Sequence, residues 1–324
     1  MLSGEIEMIC QCIKNIMNPS EKTGGFFSAI PGQISKTWSM KKLRIAIQKT
    51  GRLSENSQKL LEECGIKFSN GANVLKTSAV NFPVEILFLR DDDIPQYVEQ
   101  QVADIGILGE NMVLEKDKDV EILEQLGFAH CRLSLAIPAQ HDFTGPEYLM
   151  NRKIATSYPK LLTDYLKENN ITAEIEELSG SVEIAPGIGL ADAVCDIVSS
   201  GSTLMTNGLK EVVTILKSQA VLIANKNLDP ERIGIVNKLL FRIRSVKNAK
   251  ENKYILLNAP EPAIAEICKI LPGMKSPTVL PLAEKGWCSL HSVVKEDEFW
   301  ERISQLREAG AEGILVIPIE KMIL

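Results

Sequence analysis

Histidine is scarce in this chain: 324 residues carry only His130, His141 and His291. None stands in an HxxxH-type spacing, so a transition metal held by histidine pairs has no ligands to draw on. The seven cysteines (Cys10, Cys12, Cys64, Cys131, Cys195, Cys268, Cys288) are odd in number and sit mostly in apolar stretches. That usage favours reduced thiols in a cytoplasmic protein over a disulfide framework. Cys10 and Cys12 form CxC with no second pair or histidine nearby, which argues against zinc. Positive charge is also short, with 36 Lys and Arg against 42 Asp and Glu, a net −6. The basic residues are dispersed, so no electrostatic footprint for nucleic acid exists. No apolar run approaches the ~20 residues that a spanning helix needs, so no membrane role is expected. The start lacks a signal peptide pattern, because Glu5 and Glu7 occupy the place where positive charge belongs.

What is present is the balance of a globular protein, 45% apolar and 24% charged, long enough for two or three domains. Regular patterning begins at Met40–Lys42, so residues 1–40 are expected to form a dispensable extension. LRIAI then predicts a strand and SENSQKLLEECG a helix, with Ser54 as N-cap and Gly65 as the stop. VEILFLR, ADIGILGEN, CRLSLAIP, RKIATSYP, ITAEIEEL and QAVLIANK read as further strands, and PKLLTDYLKENN as a helix between two of them. Asp91–Asp93 suit the caps of a helix that Pro95 helps to begin. Strands alternating with helices of about a dozen residues predict a parallel α/β architecture in two lobes. PERIGIVNKLLFRIRSVKNAKENK predicts one long connecting helix. Beyond Tyr254 the order becomes β-α-β-β-α-β, the ferredoxin-like arrangement, without a cluster of catalytic residue types.

In an open α/β sheet, ligands bind beyond the carboxyl ends of strands. Those ends offer Lys49, Gly51 and Arg52; then Arg90 with three aspartates; then Glu110; then Tyr158; and Ser181, Val182 and Glu183 in EELSGSVE. The densest is DIVSSGSTLMTNGL, residues 196–209. Successive N–H groups in such a turn make an anion site, and Ser199, Ser200, Ser202 and Thr203 add hydroxyls. Gly201 lets the backbone approach a phosphate without a Cβ in the way. Asp196 cannot serve a phosphate, since like charges repel, but it suits the donor hydroxyls of a ribose. Each feature also has a structural reading: SSGST as a plain turn, Arg52 as a surface residue, Asp91–Asp93 as caps, His291 as part of a strand.

Taken together, DIVSSGSTLMTNGL preceded by GLADAVC, with LRIAIQKTGRLS, FLRDDDIP, ADIGILGEN, CRLSLAIP, KIATSYP and SGSVEIAPGIGLADA, resembles the ATP phosphoribosyltransferase family, the first enzymes of histidine biosynthesis. TVLPL and GILVIPIEKM resemble the regulatory domain of the family's long form. The likeness runs from about Lys42 to the C-terminus. The loop is also similar to the wider phosphoribosyltransferase motif, although Cys195 replaces its first acidic residue. That motif alone suggests the type I fold; the family resemblance implies instead a two-lobed, periplasmic-binding-protein-like (type II) α/β fold with a ferredoxin-like third domain.

The resemblance implies lobe I over 41–132 plus 217–249, lobe II over 133–216, and a histidine-binding domain over 250–324. It implies that ATP and phosphoribosyl pyrophosphate condense with release of pyrophosphate, with Mg2+ carried mainly on substrate phosphates. Ser199, Ser200, Gly201, Ser202, Thr203 and Leu204 are then expected at the 5-phosphate, with Asp196 on the ribose hydroxyls and Asp192 nearby. Lys49, Gly51, Arg52, Arg90, Glu110, Arg132, Tyr158, Ser181, Val182 and Glu183 are expected around ATP or pyrophosphate. Thr278, Val279, Leu280, Leu282, Ser289 and His291 are expected to line a site for inhibitory histidine, in a homo-oligomer ranging from dimer to hexamer. A non-catalytic binding protein of the same shape would need no phosphate loop. A different phosphoribosyltransferase would not account for the matches over Lys42–Val182 or for the third domain.

Overall fold

Three sheets organise the residues that the computed structural model describes, namely 41–69, 74–271, 273–274 and 276–324. The expected N-terminal extension lies outside them. The first sheet begins with β1 (Leu43–Gln48), whose Leu43, Ile45, Ala46 and Ile47 are all fully buried. Gly51 then turns the chain with φ 89°, and α1 (Arg52–Glu63) follows at once. The helix therefore starts two residues before Ser54, which is not its cap. Ser54 lies inside the helix, buried, and its hydroxyl accepts from Gln58 Nε2 at 2.9 Å. Gly65 does end the element: at φ 74° its N–H returns to the Glu62 carbonyl.

β2 (Lys76–Ser78) and β3 (Val84–Leu89) lead to α2 (Ile94–Glu99), and β4 (Ile105–Gly109) leads to α3 (Glu110–Lys116). Asp93 occupies the N-cap position of α2 but makes no side-chain cap bond, so the cap expected from Asp91–Asp93 is not formed. β5 (Val120–Gln125) completes this part. The sheet order is β2-β3-β1-β4-β11-β5, in which β11 (Ala220–Asn225) arrives from much later in the chain. β1 runs parallel to β3 and β4, whereas β11 is antiparallel to both of its neighbours. One face packs Ile45, Ile47 and Ile107 against Leu60 and Leu61 of α1 and Leu239 and Ile243 of the long α6 (Pro230–Glu251). The other face packs Ala46, Leu108 and Ile223 against Ile94 and Val98 of α2.

The second sheet has the order β10-β6-β9-β7-β8, formed by β6 (Cys131–Pro138), β7 (Lys153–Thr156), β8 (Glu174–Glu177), β9 (Ala193–Val198) and β10 (Leu209–Ser218). α4 (Pro159–Glu168) follows β7 and sets Leu162 and Leu166 against Leu133, Leu135 and Ile154. Two sheets joined by two crossings, with a late strand returned to the first, form the two-lobed α/β fold of type II periplasmic binding proteins. The fold is not that of type I phosphoribosyltransferases.

α6 is capped by Asp229, whose side chain accepts from Arg232 N, and it runs directly into β12 (Asn252–Pro260). Then come α7 (Ile264–Ile270), β13 (Thr278–Pro281), β14 (Trp287–Lys295), α8 (Glu296–Glu308) and β15 (Glu312–Pro318). The sheet order β13-β14-β12-β15, antiparallel throughout, is the ferredoxin-like pattern. Ile255, Leu257 and Leu290 form its core with Ile267 and Phe299 of the two helices.

Candidate active site

β9 reads AVCDIV. Ala193, Val194 and Cys195 are fully buried, and Val198 closes the strand at 3% exposure. Val198 and Leu204 pack with Val182, Ala185 and Leu209, so the loop between them is nailed at both ends by apolar side chains. Between the nails, Ser199, Ser200, Ser202 and Thr203 are exposed. Gly201 takes φ 81° and ψ −2°, the left-handed region that a side chain would strain. The Ser200 and Ser202 hydroxyls lie 2.9 Å apart. The helix that follows, α5 (Ser202–Thr206), has only five residues. Loop amides and hydroxyls, rather than a long helix dipole, therefore supply the donors here.

This loop forms one wall of a cleft of about 290 Å³, and Asp196, Glu183 and Arg52 complete the lining. Arg52 opens α1 beside the first sheet and the others follow strands of the second, so the cleft lies between the lobes. Burial pushes the Asp196 carboxyl up to about 6; the Ile197 N–H at 2.8 Å draws it down, and the Glu183 charge adds to the rise. Two carboxylates, a hydroxyl-rich turn and an arginine lining one cleft can hold a polyol that carries an anionic group.

Lys49, Gly51 and Arg90 are exposed at the ends of β1 and β3, and Glu110 is the first residue of α3. Tyr158 is close to the cleft: burial and the charges of Asp196 and Asp91 raise its hydroxyl's pKa. Its Oη accepts from Asn111 Nδ2 at 3.2 Å, a contact between residues of the two sheets' connections. Ser181 sits at φ 51°, and Val182 is fully buried, packing with Val198 and Leu204 and not lining the cleft. Asp192 is at the opposite end of β9, where it accepts from Lys153 N at 2.9 Å. It does not share the cleft with Asp196.

Arg132 is engaged behind the loop. Its Nε and Nη2 each donate to Glu211 at 2.5 Å, and its Nη1 donates to the Ser199 carbonyl at 3.0 Å. That pairing holds the Glu211 carboxyl below the usual range, and Ser134 Oγ, 2.7 Å away, adds to it. Glu211, Ser134 and Asn111 are absent from the sequence reading. The signal that could have found Glu211 is pairing across strands, a charge on β10 facing a charge on β6; no local motif marks it. In the third sheet, Thr278 pairs with His291 and Leu280 with Ser289 across β13 and β14, and Leu282 donates its N–H to the Trp287 carbonyl. His291 Nδ1 lies 2.8 Å from Tyr254 Oη and Nε2 lies 3.2 Å from Ser289 Oγ. Val279 is exposed beside them. Among the described residues no group of three or more His, Cys, Asp or Glu is placed to hold a metal ion. None of their helices is long and apolar enough to cross a membrane.

Comparison with known proteins places the chain in a family. The ATP phosphoribosyltransferase family profile matches residues 90–245, and that of the HisG C-terminal domain matches residues 249–321. An ATP phosphoribosyltransferase of Cytophaga hutchinsonii is 62% identical over 281 residues, 87% of this chain and 98% of the relative. One from Phocaeicola vulgatus is 56% identical over 282 residues, 87% of this chain and all of the relative. Among solved structures, a chain of the ATP phosphoribosyl transferase (HisG:HisZ) complex from Thermotoga maritima superposes with a TM-score of 0.54 at 28% identity, covering 62% of this chain and 98% of that one. With a profile for each part and relatives matched over nearly their whole length, the chain belongs to the ATP phosphoribosyltransferase family.

Proposed function

We propose that the chain joins ATP to 5-phosphoribosyl 1-pyrophosphate, forming N1-(5-phosphoribosyl)-ATP and pyrophosphate, as the committed step of histidine biosynthesis in the cytoplasm. The observation that carries this reading is the cleft itself, where a hydroxyl-rich turn, a carboxylate pair and Arg52 converge. The Ser199–Thr203 turn takes the 5-phosphate on its amides and hydroxyls. Asp196, with Glu183 beside it, accepts from the ribose hydroxyls. The adenine N1 lone pair then forms the bond to the anomeric carbon as the carbon–oxygen bond to pyrophosphate breaks and its electron pair leaves on pyrophosphate. A ring nitrogen is nucleophilic as it stands, so no activating Ser–His or Cys–His pair is needed. The requirement is stabilisation of charge on the departing group, an effect that supplies most of the rate enhancement in many enzymes. Arg52 supplies positive charge there, and Lys49 and Arg90, at neighbouring strand ends, extend it to the triphosphate.

Mg2+ would come in on the pyrophosphate, neutralising it, with its ligands drawn mainly from substrate phosphates. The hydroxyl and amide donors of the turn fit a phosphate group, and no side-chain ligand to the metal is assigned. We assign the lobes to 41–132 with 217–249 and to 133–216, and a regulatory domain to 250–324. Histidine inhibits from the β13–β14 surface of that domain, around Ser289 and His291, within a homo-oligomer that extends from dimer to hexamer. The test is an ultraviolet assay of the purified protein with ATP, phosphoribosyl pyrophosphate and Mg2+, with and without histidine. Appearance of the adduct's absorbance, suppressed by histidine, is expected. No adduct with both substrates bound would refute the activity.

A further inference from the structure

We infer that Glu211 is a positioning residue for the phosphate loop, acting through Arg132 and not on the substrate. The inference rests on the sugar-phosphate reading of that loop. On a regular strand, residues 211 and 214 would face opposite sides of the sheet. β10 is irregular between Glu211 and Val213, and Thr214 Oγ1 comes within 3.3 Å of Glu211 Oε1, so both lie on one face. The irregularity aims the Glu211 carboxylate across β6, where it receives Nε and Nη2 of Arg132 together with Ser134 Oγ. A guanidinium fork held at two nitrogens has a fixed plane. Its remaining group, Nη1, meets the Ser199 carbonyl at 3.0 Å.

In a trans peptide the N–H points away from the C=O. With the Ser199 carbonyl held toward Arg132, the N–H of Ser200 is turned to the opposite side. Glu211 thus sets an amide direction two contacts away, without itself lining the cleft. It also neutralises Arg132 where the guanidinium would otherwise be free to swing onto an anionic ligand. The two roles open to Arg132 therefore predict opposite results. If Arg132 grips phosphate directly, freeing it from Glu211 preserves or tightens binding. If it orders the loop, freeing it weakens binding.

The test is a double-mutant cycle in the full-length protein with Glu211→Gln, Arg132→Ala and both changes. KM is measured for each substrate, and the Kd of inorganic phosphate by calorimetry. Glu211→Gln is expected to weaken phosphoribosyl pyrophosphate and inorganic phosphate roughly tenfold, the scale of a lost charged hydrogen bond. KM for ATP should stay within about twofold, and the double variant should be no worse than Arg132→Ala alone. Amide exchange at residues 199–203 should quicken in Glu211→Gln while the melting temperature holds. Should Arg132→Ala fail to fold, Arg132→Lys takes its place, since it keeps the charge and loses the fork. Unchanged or tighter phosphate binding in Glu211→Gln, or additive losses in the cycle, would overturn the inference. A wild-type protein that binds inorganic phosphate but makes no adduct would refute the transferase reading alone, and the phosphate and exchange arms would still decide Glu211.

Discussion

Asp196 offers the sharpest quantitative test. Its carboxyl sits up at about 6 because it is buried beside Glu183, while the ribose hydroxyls it is proposed to receive require the ionised form. Protons and sugar therefore compete. For a group of pKa about 6 that must be charged to bind, apparent Kd rises as one plus the ratio of proton concentration to the acid constant. That factor is about 1.01 at pH 8, about 2 at pH 6 and about 11 at pH 5, or ~1.4 kcal/mol at the acid end. The ligand's own phosphate titrates near pH 6 and distorts any single profile. The informative quantity is the ratio of wild type to Asp196→Asn, in which the ligand's titration cancels. Calorimetric titration of phosphoribosyl pyrophosphate at half-unit steps from pH 8 to 5 supplies it. The wild-type advantage should be greatest above pH 7 and shrink about tenfold by pH 5. Parallel profiles would refute the role of the carboxylate. The same shift acts on the unliganded fold in the other direction. The folded chain holds this proton more tightly than an unfolded one, so the stabilisation present below pH 4 is lost as pH rises through about 6.

Glu183→Gln removes a like charge facing Asp196, so the midpoint of that ratio should move to lower pH; a midpoint that stays put separates the two groups. Arg52→Ala should weaken the anionic substrates by about 10–100-fold in steady-state assays, the range of charged hydrogen bonds, while the melting temperature of this exposed site holds. Asp104 is 1% exposed and serves the Arg44 amide at 2.7 Å, Arg44 Nη2 at 3.2 Å and Arg232 Nε at 3.3 Å. Asp104→Ala should therefore cost about 1–3 kcal/mol in denaturant titration, because the Arg44 amide and two partly exposed arginines lose a buried acceptor. A cost under ~1 kcal/mol would show water reaching the pair. His291→Ala deletes the link between Tyr254 and Ser289, so the proposed inhibition by histidine should weaken at least about tenfold with kcat unchanged in its absence.

Elements with one strong local signal were legible from the chain alone. The parallel strands of the first sheet are continuous apolar runs, and the β-α-β-β-α-β order of the third sheet follows from alternation and turns. The turn over 199–203 stood out because small hydroxyl residues there interrupt two buried anchors. Boundaries set by backbone torsion were harder to place. Gly51 starts α1 two residues before Ser54, and a sequence shows a glycine but not its φ. β5 and β10, rich in charge and only half buried, escaped notice because neither carries a clean apolar face. Glu211 and Asn111 owe their places to neighbours 79 and 107 positions away, and no window along the chain contains both partners. Asp192 and Asp196 share a motif, yet the extended run of β9 carries them toward opposite ends of the strand.

β11 inserts between β4 and β5, and its place has a consequence for biogenesis. β5 leaves the ribosome with an unpaired edge, and its partner follows only after roughly 95 further residues. At ~5–20 residues per second, that edge waits about 5–20 s, ample time for it to meet other nascent chains. Glu121 and Glu124 put negative charge on that edge, and charge on an unpaired edge discourages foreign pairing. Once α6 is in place, Arg244 and Lys247 neutralise Glu124, so the charge that guards the waiting edge is paired in the finished fold.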